Sequence, residues 1–144
     1  MAATETLITE TLIDAGPLVA LLDRRDEHHA WAVREAGRLD APFHTCEAVL
    51  SEAYVLLERR THGGSEALTR LLERKRLDAS FSYADHAERV HALMRAYADQ
   101  PMSFADACLV RLSEIRAGSQ VFTVDADFRT YRKRGDGEIV VLMP

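Results

Sequence analysis

Met102-Ser-Phe-Ala-Asp106-Ala-Cys-Leu-Val-Arg111 is the stretch on which the reading of this chain turns. Ser103 has the chemistry of a helix N-cap, and Asp106 stands three residues later, on the first turn of an apolar helix expected to run to about Ala117. Behind it, Thr123-Val-Asp125-Ala-Asp127-Phe128 sets acids directly after a short apolar strand, Gln120 to Val124. Two acids upstream occupy comparable junctions. Asp14 follows a first strand read over Thr6 to Ile13, and Glu52 lies one to two turns inside a helix that opens near Thr45. Four carboxylates at strand ends and helix starts, drawn from the whole chain, predict one acidic pocket.

Working outward, Asp14-Ala-Gly-Pro17 stops the first strand, and Pro17 suits the first turn of a helix through Leu22 because no N–H donor is needed there. Asp26 to Leu39 is predicted as a second helix with Trp31 on its packing face, and Pro42-Phe43-His44 as a very short strand. Thr45 is expected to cap a helix to about Arg60, which Gly63-Gly64 breaks, and Ser65 to cap the next, to about Arg76. Leu77 to Ser82 alternates as a strand does. Ser82 and Asp85 have capping-box spacing for a helix to about Ala98, in which Ala87, Val90, Leu93 and Tyr97 repeat at helical period. After Gly118 and the Gln120 strand come an acidic turn, one helical turn over Phe128 to Arg132, and a last strand, Glu138 to Leu142. Strands alternating with helices predict an α/β domain with a central, mostly parallel sheet and helices on both faces. No repeat, linker or low-complexity segment interrupts it, so residues 1–144 read as one domain.

The totals agree with that size and narrow the chemistry. Of 144 residues 47% are apolar, ordinary for a globular chain, and no run approaches a membrane span. The opening MAATETLITE lacks the basic and apolar regions of a signal peptide, so a cytoplasmic protein is expected. Cys46 and Cys108, with no CxxC or CxxH partner, read as reduced core thiols. A net charge of −5 argues against nucleic-acid binding through a broad basic face. It leaves open a nucleic-acid enzyme in which a cation in an acidic cleft meets the phosphate.

In an open parallel sheet the ligand crevice lies beyond the C-terminal strand ends, so Asp14 and Asp125 share it if their strands are neighbours. Each acid also has a plain structural reading: Asp106 as capping-box partner, Asp125 as turn residue, Asp14 as N-cap, Glu52 as part of a solvated helix face. Their conjunction favours a site. Two carboxylates about 4 Å apart at an effective dielectric of about 20 repel by about 4 kcal/mol, so such a cluster takes up protons or binds a cation. Oxygen donors without a His/Cys set favour Mg²⁺ or Mn²⁺. The six histidines read as structural. Arg129, Arg132, Lys133 and Arg134, with Phe128 and Tyr131, are either a solvated face or a phosphate contact.

These residues resemble a known family. Leu12-Ile-Asp14-Ala-Gly-Pro-Leu-Val-Ala-Leu-Leu22 is similar to the opening of PIN domains, in particular the VapC-type toxins of bacterial toxin–antitoxin pairs. Thr45-x-x-Ala-Val-Leu-Ser-Glu52-Ala-Tyr resembles their second motif, Tyr97-Ala-Asp99-x-Pro-Met-Ser-Phe-Ala-Asp106-Ala the third, and Val121-Phe-Thr123-Val-Asp125-x-Asp127-Phe128 the fourth. No single motif is specific, but the four in order are. The resemblance implies a three-layer PIN-like sandwich and a Mg²⁺- or Mn²⁺-dependent endoribonuclease giving 5′-phosphate and 3′-hydroxyl ends. It also implies a cognate antitoxin and a homodimer, for which the helices around Tyr54 to Leu72 are candidate surfaces. It implies Asp14 and Asp106 as principal metal ligands, Glu52 as ligand or orienter of a water, and Asp125 as ligand or support. Thr123 would hold a water, and Asp127 would be an auxiliary acid. Glu47, about 140° round the helix from Glu52, is expected outside the pocket. Two rival readings are a catalytically silent PIN-like module that binds RNA or protein, and a phospho-receiver signalling domain.

Overall fold

The computed structural model describes residues 7–144. Its elements in chain order are β1 (Glu10–Ile13), α1 (Ala15–Leu22), α2 (His29–Ala36), β2 (Phe43–His44), α3 (Glu47–Arg60), α4 (Gly64–Glu73), β3 (Leu77–Asp78), α5 (Tyr83–Ala96), α6 (Phe104–Ile115), β4 (Ser119–Phe122), a 3₁₀ turn over Ala126–Arg129, and β5 (Val141–Leu142). The five strands form one sheet in the order β3-β2-β1-β4-β5, and every pairing is parallel. The chain steps one way from β1 to β3 and then crosses back to β4. Right-handed crossovers therefore set α1–α4 against one face and α5–α6 against the other, as the α/β reading expects.

β1 lies at the centre of the sheet, flanked on both sides, with Leu12 and Ile13 fully buried. It pairs with β4 over four residues, Glu10 to Ile13 opposite Ser119 to Phe122. The order reverses between these two strands, and a parallel sheet opens its ligand crevice at such a switch point. The order also differs from the 2-1-3-4-5 arrangement of receiver domains, which removes that rival. Phe122 carries the packing of one face: Trp31 of α2 and Phe43 of β2 both meet it edge-on, at centroid distances of 5.1 and 6.2 Å. Trp31 thus occupies the packing face read for it. No helix among the described residues is long and apolar enough to cross a membrane.

Several boundaries differ from the sequence reading. The start read at Thr6 lies outside the described residues, and β1 begins at Glu10. Helix α2 covers only His29–Ala36 of the predicted 26–39 span, because Asp26 accepts the His28 N–H at 2.8 Å and holds the preceding turn. β3 has two residues rather than six, since its only neighbour, β2, has two. Thr45 is not the cap of α3. It is buried, and its hydroxyl donates to the Ile13 carbonyl at 2.7 Å, leaving Cys46 at the N-cap. Nor does Ser65 cap α4, which begins at Gly64 after a left-handed Gly63; the Thr61 hydroxyl accepts the Gly64 N–H instead. Cys46 and Cys108 are both free and buried, and the fold brings the two thiols together where α3 starts against α6.

Candidate active site

The end of β1 is fixed from both sides. The Asp14 N–H donates to Phe122 O of β4 at 3.0 Å, and Thr45 ties down Ile13 from the β2 side. Asp14 then caps α1, its Oδ1 accepting the Ala15 N–H at 2.8 Å, while its Oδ2 accepts the Thr123 hydroxyl at 2.8 Å. The structural reading of Asp14 as an N-cap therefore holds, and the same carboxylate also faces Thr123 at the end of β4. Thr123 is fully buried, and its oxygen also accepts the Asp125 N–H at 3.0 Å. Its hydroxyl thus holds the Asp14 carboxylate in place. Asp125 in turn accepts the Asp127 N–H at 2.9 Å. One chain of hydrogen bonds thus links Asp14, Thr123, Asp125 and Asp127.

Asp106 enters from the opposite layer. Its capping box with Ser103 is complete: the Asp106 N–H donates to Ser103 Oγ at 3.0 Å, and the Ser103 N–H donates to Asp106 Oδ2 at 3.3 Å. The same Oδ2 accepts the Tyr131 hydroxyl at 2.9 Å. Tyr131 is itself fully buried, wedged edge-on between Tyr97 and Phe128. Sequence reasoning missed this contact, because Tyr131 sits beside a basic run and its partner is in another element. Arg132 does not present a free cation there, since its guanidinium folds onto the carbonyls of Arg129, Thr130 and Tyr131.

The close packing at this edge requires a glycine. A Cβ on Gly16 would lie 2.5 Å from a methyl of Val124, so α1 approaches the β4 loop only without a side chain there. That approach brings Asp14 and Thr123 within a hydrogen bond.

The acids feel one another. Burial pushes the Asp14 carboxyl up to about 6, with the charges of Asp106 and Glu52 adding to the rise and Thr123 and Ala15 opposing it. Burial likewise raises Asp106, against the hydrogen bonds of Tyr131 and Ser103, and Asp125 adds to it. The neighbouring Asp125 charge raises Asp127. Glu52, in the second turn of α3, is exposed, on a helix whose Val49 and Ala53 are buried; Glu47 is exposed one turn earlier. All five carboxylates read from the sequence thus border one edge of the sheet. Among the described residues no three of them converge as a closed ligand cage. The donors are carboxylate oxygens, two of them desolvated and none paired with a cation within 4 Å. That set fits a hard divalent cation and not a thiolate-seeking one.

An all-parallel sheet with a carboxylate edge at its switch point defines a class, and comparison with known proteins gives it a name. The PIN domain family matches residues 11–134, so the chain belongs to the PIN domain family. Among solved structures it is similar to Mycobacterium tuberculosis VapC20, a Sarcin-Ricin loop cleaving toxin, with a TM-score of 0.75 and 22% sequence identity, covering 84% of this chain and 94% of that one. No curated protein matches it significantly.

Proposed function

We propose that this chain is a Mg²⁺- or Mn²⁺-dependent endoribonuclease, acting as one PIN-like unit and as the toxin of a toxin–antitoxin pair. The observation that carries the reading is the desolvated pair Asp14 and Asp106, both raised chiefly by burial and held by partners from the end of β4 and from the Tyr131 segment, in a chain of the PIN family. Likeness to VapC20, an RNA-cleaving toxin, supports RNA as substrate and a cognate antitoxin as partner. A homodimer and a cytoplasmic setting accompany that reading.

In this scheme Asp14, Asp106 and Asp125 would hold the cation, which when bound would supply neutralisation of phosphate charge and acidification of water. Thr123 and the Ala15 N–H fix the orientation of Asp14 through its two oxygens, whereas Tyr131 and the Ser103 N–H both engage Oδ2 of Asp106 and leave its Oδ1 without a protein donor. Glu52, exposed on α3, would complete the site as a further ligand or as the orienter of a water. Asp127 stands behind Asp125 as an auxiliary acid. In-line attack on the phosphodiester would leave 5′-phosphate and 3′-hydroxyl ends.

The test is incubation of total cellular RNA with purified protein plus Mn²⁺ or Mg²⁺, with chelator, and with Asp106→Asn. Discrete fragments that require both the cation and Asp106 are expected. A folded protein that binds Mn²⁺ yet cuts no RNA in any lane would replace this reading with the silent module.

A further inference from the structure

The ends of α1 and α3 enclose an open cleft of about 830 Å³ lined by Arg24, Arg25, Arg59, Arg60 and His62. All five are exposed. The two acids in its wall are already engaged. Asp23 is buried, with its Oδ1 accepting the Arg25 N–H at 3.0 Å, and Glu58 accepts the Ser65 hydroxyl at 2.9 Å. Among the described residues Arg24, Arg25 and Arg59 have no carboxylate within 4 Å, and Arg60 has only Asp26, at 3.9 Å. Other arginines with no carboxylate within 4 Å among the described residues, such as Arg74, Arg95 and Arg129, are scattered along the chain, whereas Arg89 and Arg111 are tied to Glu114 and Arg116 to Glu10. In a chain of net charge −5 this is a local concentration of unpaired cations.

Its position relates it to the carboxylate edge. Asp14 caps the start of α1, and the cleft begins at the other end of that eight-residue helix, about 12 Å along its axis. Arg59 lies two turns beyond Glu52 on α3, so the two share a helix face about 10 Å apart. Both helices lead from the acids to the arginines. The acidic edge by itself repels a polyanion, and a strand lying across it needs counter-charge close by. Guanidinium groups bind phosphate bidentately, and backbone contacts of this kind position a strand without reading its sequence.

We infer that the arginine cleft is a second binding subsite that grips the sugar–phosphate backbone of a single-stranded RNA, a few nucleotides to one side of the phosphate lying at the carboxylate edge. The assignment rests on the ribonuclease reading above. The competing explanation is that arginines at two helix ends merely complement the helix dipoles, which predicts lost stability and no effect on RNA.

The experiment is fluorescence anisotropy of a short labelled single-stranded RNA with the full chain, in EDTA, over a range of KCl. It compares native protein with Arg24→Gln/Arg25→Gln and Arg59→Gln/Arg60→Gln, and with the corresponding Arg→Lys pairs. Each Gln pair is expected to weaken binding roughly tenfold near 0.1 M salt and to lower the slope of log K against log salt by about 1.4, two phosphates' worth for a single strand. The Lys pairs should restore most of both. Folded Gln variants with native affinity and slope overturn the assignment, as does a fall in thermal stability or a changed oligomeric state without loss of RNA affinity. Hydrogen exchange on the native protein decides independently of any variant: RNA should protect amides of residues 22–25 and 59–62, and their indifference to saturating RNA overturns the proposal. Because nothing is cleaved in EDTA, a protein that fails to cut RNA in a parallel Mn²⁺ lane breaks the ribonuclease reading while the cleft is still scored.

Discussion

Helix α6 carries an acid with a largely covered side chain at each end, and the two are treated oppositely. Glu114, in the last turn, is only 6% exposed; burial alone would raise it, but Arg89 grips it with two hydrogen bonds of 2.9 and 2.7 Å, Arg111 adds a third at 3.2 Å, and the carboxyl is held below its usual range. Asp106, in the first turn, is as buried, yet its partners are a tyrosine hydroxyl and the serine of its own capping box, and burial leaves it raised. The first arrangement completes the acid's charge inside the protein. The second orients the acid and leaves the charge for something outside to complete. A buried acid with an arginine is a structural device, and one with only neutral donors is poised to bind a cation.

Four experiments break or sharpen this contrast, from the largest expected effect to the smallest. Asp106→Asn should reduce metal-dependent RNA cleavage by about 1,000-fold, well beyond the roughly 10–100-fold that loss of an outer partner costs a metal site, with the melting temperature unchanged or raised; cleavage within tenfold of native would remove Asp106 from the site. Glu114→Gln should do the reverse. It strands two arginines and should cost about 3 kcal/mol in urea denaturation, with activity per folded molecule intact, and a loss below about 0.5 kcal/mol, the size of an exposed pair, would make the knot a surface feature.

Asp14 gives the third. Its folded value of about 6 lies above its ordinary 3.8, so the folded state holds the proton more tightly. The stability this contributes is complete below 3.8 and is lost as pH rises through about 6, a difference of roughly 3 kcal/mol at most. Asp14→Asn in chelator should therefore be about 2 kcal/mol more stable than native at pH 8, with the advantage vanishing near pH 4, while cleavage is lost; equal stability at both pH values would contradict the burial argument. Tyr131→Phe is the mildest. It should weaken Mn²⁺ binding several-fold by calorimetry and cost about 1 kcal/mol of stability, the worth of one hydrogen bond; unchanged Mn²⁺ affinity would reduce Tyr131 to packing.

What was legible in the sequence were features written locally. Asp14 after an apolar strand, Asp106 after Ser103 and Asp125 after Val121-Phe-Thr123-Val each announce their junction within a few residues, and parallel pairing of β1 with β4 follows once the acids are required to share a crevice. Illegible were features that depend on a distant partner. Thr45 has the side chain of an N-cap, but a buried Ile13 carbonyl at the sheet centre takes its hydroxyl, so tertiary demand overrides capping chemistry. Tyr131 reads as part of a basic surface run until Asp106, Tyr97 and Phe128 surround it. Strand lengths failed for a related reason: alternation over Leu77 to Ser82 describes what could pair, whereas a two-residue β2 limits what does.

The hydrogen bond between Thr123 and Asp14 spans 109 positions of the chain, and β4 must be threaded beside β1 before it can form. During synthesis the Asp14 segment is made well before its β4 partner and waits for Thr123 to follow. Any product truncated before Thr123, or trimmed past it from the C-terminal side, has lost the strand that organises Asp14. The carboxylates at the ends of β1 and β4 can therefore share one crevice only in a chain made past Thr123.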